Sequence, residues 1–134
     1  MRAKQTNNPL ANQGPALRAR RRQARAVLRG LHQTYPAATC ALHYQGPYQL
    51  AVATILSAKC TDVRVNQVTP ALFARFPNVA AWLTGTSREV EALIRPTGFF
   101  RNKARHLRAL AQVVHNQWND SLPSTLEALI TLPG

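Results

Sequence analysis

Apolar residues recur at helical spacing along most of the chain, and no segment alternates with a period of two. Leu17, Ala24, Val27, Leu28 and Leu31 fall close to one face of a helix, in a stretch rich in the helix formers Ala, Leu and Arg. This predicts a helix over 16–34, ended by Tyr35-Pro36 because proline disfavours helical geometry in the residue before it. The polar residues 1–15, with Asn, Gln, Pro and Gly, read as a disordered lead. Residues 36–46 read as a connector bounded by Pro36 and Gly46-Pro47.

Pro47 suits the first turn of the next helix. Leu50 to Ala58 carries no charge and no polar face, which predicts an element buried on all sides. A buried strand is the competing assignment; length and alanine content favour a helix, the central rod of the domain. Thr61-Asp62 supplies an N-cap for a helix to about Phe76, with Val65, Val68, Leu72 and Phe76 inward and a kink at Pro70. Pro77-Asn78 opens a short helix with Val79 and Trp82. Thr86 and Glu89 match a capping box ahead of Val90, Leu93 and Ile94, and Pro96-Thr97-Gly98 breaks that helix. A longer helix spans about Asn102 to Trp118, with Leu107, Leu110, Ala111 and Val114 on one face. Ser124 and Glu127 match a second capping box before Leu126, Leu129 and Ile130. The expectation is an all-α fold of roughly seven short helices with short connections.

Composition narrows the function classes. The chain has 134 residues, 46% of them apolar, which suits one packed domain. Two cysteines, Cys40 and Cys60, exclude a disulfide scaffold and a four-cysteine metal site built from this chain. No apolar run reaches the roughly 18 residues of a membrane span, and the N-terminus lacks the apolar core of a secretory signal. The expectation is a cytoplasmic protein without a membrane partner. The four histidines have no ligand spacing with carboxylates or cysteines and read as structural or solvated.

Charge changes the picture most. The net charge is +12, and residues 1–31 hold eight basic residues and no acid. A basic arm of this kind can condense on nucleic acid by displacing counterions, or serve as a solvated tail. Arg101, Lys103, Arg105 and Arg108 crowd the start of the long helix, where part of the run could contact phosphates.

Several segments then carry a resemblance in order and spacing: Leu50 to Asp62, Val65-Asn66, Thr97-Gly98-Phe99-Phe100, Asn102-Lys103-Ala104, and Leu126 to Gly134. Residues 47–134 resemble the N-terminal part of the endonuclease III family, helix–hairpin–helix DNA glycosylases and abasic-site lyases. The resemblance implies a two-lobed all-α fold, here incomplete: a basic helix at 16–34 that packs on a cluster-bearing lobe, and a partial six-helix lobe at 47–134 ending within the hairpin motif. It implies base-excision repair of oxidised pyrimidines on double-stranded DNA with a damaged base or abasic site, by a monomer associated with the nucleoid. The target nucleotide would leave the stack. Lys59, where the family often has Gln, is similar to the residue that enters the gap, and Phe99 to an apolar wedge beside it. Arg101, Lys103 and Gly134 are the further DNA-binding candidates. No catalytic residue is assigned, because the family's catalytic lysine and aspartate would lie beyond Gly134. A [4Fe-4S] cluster is implied for full-length relatives and none for this chain. The chain alone is therefore expected to be inactive and poorly stable. A non-enzymatic basic DNA-binding module and an inactive remnant are the other readings.

Overall fold

The computed structural model describes residues 14–134, and all regular structure among them is helical. Nearly all of the expected lead lies outside the described residues. The chain divides into two units, 1–39 and 40–134.

The first unit holds α1 (Pro15–Thr34). Proline opens it, Gly14 stands at its N-cap, and Tyr35 closes it by donating to the Leu31 carbonyl. A proline at the first turn sacrifices only an amide that has no intrahelical acceptor. No residue of α1 is buried: Leu17, Val27, Leu28 and Leu31 are all exposed.

The second unit holds α2 (Gly46–Ser57), α3 (Asp62–Arg75), α4 (Val79–Thr84), α5 (Ser87–Ile94), a 3-10 turn (Arg95–Thr97), α6 (Phe100–Trp118) and α7 (Leu126–Leu129). The segment from Leu50 is thus helical to Ser57, not a strand, and Ala58 is its C-cap. The central element, however, is α6. It packs against α2, α4 and α5, and its buried stripe includes Leu107, Leu110 and Val114. Only Val52, Ala53 and Leu56 of α2 are buried. Another side of α2, including Leu50 and Ile55, lines an open groove of about 610 Å³ together with Leu132, Pro133 and Gly134. The expectation of a rod buried all round fails because Leu50, Ala51 and Ile55 are only half-buried on the groove side, where Thr54 is exposed.

Local chemistry sets the element boundaries. Thr61, not Asp62, caps α3, its hydroxyl accepting the Arg64 amide at 3.3 Å, while Asp62 occupies the first turn, where an acid suits the helix dipole. Pro70 lies within α3, whose helical run continues to Arg75. Asn66 fastens the preceding connector to α3: its amide donates to Ala41 O and its oxygen accepts from His43 N, each at 2.8 Å. The Thr86–Glu89 capping box forms as expected. Glu89 also pairs with Arg75 at 2.9 Å. The Thr86 amide, helped by the Arg75 and Thr86 side chains, lowers its carboxyl to about 2. At α7 the cap is Thr125, which accepts the Ala128 amide, and the Ser124–Glu127 box does not form. Both hydroxyls can cap a helix, and the backbone reaches extended geometry at Thr125.

Between α4 and α5 the chain passes close to the core. Phe76 stacks on Trp82 with centroids 4.7 Å apart. A Cβ at Gly85 would lie 2.3 Å from the Phe76 ring, so this position needs glycine for space alone. Arg108 of α6 donates to the Gly85 carbonyl and ties this turn to the central helix.

Candidate nucleic-acid interface

Two short connections carry the exposed candidates. The first, Ala58–Thr61, joins α2 to α3. Ala58 N donates to Ile55 O at 3.4 Å and Cys60 N to Ser57 O at 2.9 Å, and this tight turn leaves Lys59 exposed at φ +57°. The second, Gly98-Phe99, joins the 3-10 turn to α6. Gly98 has φ +70° and Phe99 +47°, and Phe99 is 69% exposed. Left-handed geometry costs an ordinary side chain about 1–2 kcal/mol, and short Asn or Asp side chains tolerate it best. Among the described residues the other non-glycine cases are Asn119 and Asp120, so Lys59 and Phe99 stand apart. A large aromatic held in a strained backbone and turned to solvent contributes nothing to the core. Strain of this kind gathers where a side chain must be presented.

The basic run at the start of α6 divides. Arg101 is exposed, with its guanidinium 5.3 Å from the Phe100 ring centroid; Arg95 approaches the same ring at 5.8 Å. Arg105 is exposed and bonds Asn102 at 3.1 Å. Arg108 is spent on Gly85. Lys103 does not belong to the surface at all, which corrects its place among the phosphate contacts. It is 5% exposed, and its ammonium donates to Leu56 O and Thr97 O, both at 2.8 Å. Burial lowers its pKa from the ordinary lysine value. The sequence held a signal for this: Lys103 falls on the same helical stripe as Leu107, Leu110 and Val114. Arg95 beside Phe100 was missed, and only its contact with the ring distinguishes it from other surface arginines.

Gly134 has φ +111° and lies against α2, where a Cβ would meet Ile55 at 2.6 Å. Its backbone thus sits on the groove wall. A four-iron cluster needs four thiolate ligands. This chain has Cys40 and Cys60, and no group of three or more His, Cys, Asp or Glu among the described residues could hold a metal ion. The residues present do not fit such a cluster. No helix among the described residues is long and apolar enough to cross a membrane.

Residues 52–129 match the profile of the HhH-GPD superfamily base excision DNA repair proteins. The chain is 48% identical over 116 residues to endonuclease III of Synechocystis, covering 87% of this chain and 53% of that protein. It is 32% identical over 108 residues to endonuclease III of Escherichia coli K12, covering 81% and 51%. It thus spans about half the length of the curated relatives it matches. A solved structure of a trapped endonuclease III–DNA covalent intermediate superposes with a TM-score of 0.77 at 34% identity, over 84% of this chain and 53% of that one. A thermostable thymine-DNA glycosylase shares the fold at a TM-score of 0.75 and 20% identity, over 86% and 54%. The family match covers more than half of this chain, and the chain belongs to the HhH-GPD superfamily of base excision DNA repair proteins.

Proposed function

We propose that this chain is the damage-engaging part of an endonuclease III-like DNA glycosylase and abasic-site lyase acting on oxidised pyrimidines in double-stranded DNA. In this reading Phe99 wedges between base steps beside the target, Lys59 enters the space left by the displaced nucleotide, and Arg101 meets the backbone phosphate. The Gly134 turn would continue toward the phosphate-holding hairpin. A lysine in place of the family's frequent glutamine adds a cation where an amide would read a base edge, so Lys59 favours charge contact over discrimination of the opposite base. The apolar stripe of α1 would rest on a cluster-bearing lobe supplied by residues outside these 134. The observation that carries the reading is Phe99, a large apolar side chain exposed at a left-handed backbone position, on a connection whose root Lys103 joins to the last turn of α2.

The test is binding of the chain to a duplex containing a tetrahydrofuran abasic-site analogue against the same duplex intact. The chain prefers the abasic duplex, and Phe99→Ser reduces that preference by the equivalent of about 1–3 kcal/mol, the usual worth of aromatic–base stacking. Equal binding of both duplexes by the unaltered chain overturns the reading. The resemblance puts the nucleophilic lysine outside these residues, so borohydride should trap no covalent adduct between this chain and abasic DNA.

A second reading draws on α1, whose six arginines lie on a helix with no buried residue. Here the chain is a non-enzymatic DNA-binding module. Its binding falls steeply with salt, shows no lesion preference, and is lost on deleting residues 1–31.

A further inference from the structure

An ammonium that is shielded from water must find acceptors, and an apolar side chain would fill the same space without that demand. Lys103 finds two, and their identities are informative. Leu56 lies in the last turn of α2, where backbone carbonyls have no intrahelical partner. Ser57 O takes the Cys60 amide, Thr54 O the Ser57 hydroxyl, and Ile55 O the Ala58 amide, so Leu56 O is the carbonyl of this turn that Lys103 satisfies. A cation at a helix C-terminus also suits the helix dipole. Thr97 is the last residue of the 3-10 turn, itself buried and held by its hydroxyl on Ile94 O at 2.8 Å. The Lys103 backbone amide, meanwhile, donates to Phe99 O at 3.1 Å.

One residue therefore touches both exposed connections from below. Its ammonium spans the root of the Lys59 turn and the root of the Gly98-Phe99 turn, and its amide fixes the Phe99 carbonyl. No other hydrogen bond among the described residues joins Ala58–Thr61 or its flank to Thr97–Phe99. Hydrogen bonds to a charged donor are short and directional, as these two are, and they set a separation more sharply than apolar contact does. We propose that Lys103 is a positioning residue that locks the spacing of Lys59 and Phe99 by bridging the Leu56 and Thr97 carbonyls. The role in DNA recognition rests on the reading under Proposed function; the locking itself does not.

The experiment pairs two readouts on the full chain. In a Cys40→Ser, Cys60→Ser background, nitroxides attached at Lys59→Cys and Phe99→Cys report the distance between the two positions by pulsed electron resonance. Lys103 gives one narrow distance. Lys103→Met, which keeps the apolar stem and removes the donors, broadens it, and Lys103→Gln, with an amide that can serve a carbonyl, falls between. With Lys59 and Phe99 intact, the preference for the abasic over the intact duplex drops about tenfold or more in Lys103→Met, as loss of charged hydrogen bonds predicts, while binding to intact duplex changes little. Superposable distance distributions in the folded variants overturn the proposal. A broadened distance with unchanged preference overturns the role in recognition. Loss of helicity in both variants also overturns it, since Lys103 would then be a folding residue. No abasic preference in the unaltered chain, with the distance still governed by Lys103, removes the reading under Proposed function and leaves the locking in place.

Discussion

Two helices of this chain look alike in sequence and differ in what surrounds them. α1 and α6 have nearly the same length, each has an apolar stripe, and each is rich in arginine or lysine. α6 buries six residues and packs against three other helices, whereas α1 buries none within its unit. An amphipathic repeat states that a helix has a face to bury, and it does not say against what. The basic residues differ in the same way. Those of α6 are partly drawn into the structure, with Lys103 on two carbonyls and Arg108 on Gly85, while the arginines of α1 are all exposed. Charge on α1 is free to meet a polyanion; much of the charge on α6 is already committed.

The difference between α1 and α6 is greatest in the core. Leu107→Ala should lower stability by about 2–5 kcal/mol, because α6 is packed on several sides and the cavity cannot collapse. Denaturant unfolding followed by circular dichroism measures it. Gly85→Ala comes next, at about 1–3 kcal/mol, since the added methyl overlaps the Phe76 ring and must displace the Phe76–Trp82 stack; a melting temperature like that of the unaltered chain would mean the turn yields freely. A smaller effect is expected at Glu89. Its carboxyl is lowered from 4.5 to about 2, so its stabilising contribution is full above about 4.5 and is lost as the pH falls toward about 2. Melting temperatures over that interval should fall less in Glu89→Gln than in the unaltered chain. Smallest of all, Leu28→Ala in α1 should stay within about 0.5 kcal/mol. A loss there as large as at Leu107 would show that the α1 stripe is covered after all.

Most of the fold could be read from local rules. Prolines at 36, 47 and 96 and the Thr86–Glu89 box mark helix ends, because each acts through its own backbone, whereas Pro15, read as part of the lead, opens α1. What escaped needed tertiary information. Ser124 and Thr125 are equally competent caps, and the path of the chain chooses between them. The charge-free α2 reads as buried on all sides, but burial depends on neighbours, and Leu50 and Ile55 face an open groove. Lys103 was assigned by its type and by the basic run around it, while its place on the α6 stripe decides where it points. For the candidate site, Phe99 and Lys59 follow from the resemblance of their segments to the endonuclease III family; that both sit at positive φ, and that a buried lysine joins their connections, are properties of the folded structure.

The placement of the two tryptophans has a practical consequence. Trp82 is buried and stacked on Phe76, and Trp118 is half-buried at the end of α6 opposite the Phe99 turn, about 27 Å along the helix at the standard rise. Neither indole is placed to stack on a nucleotide held at Phe99. The intrinsic fluorescence of this chain is thus an indicator of core integrity, dominated at the blue edge by Trp82. Emission that stays constant during a DNA titration marks a lobe that binds without rearranging, and a red shift marks a core that has opened.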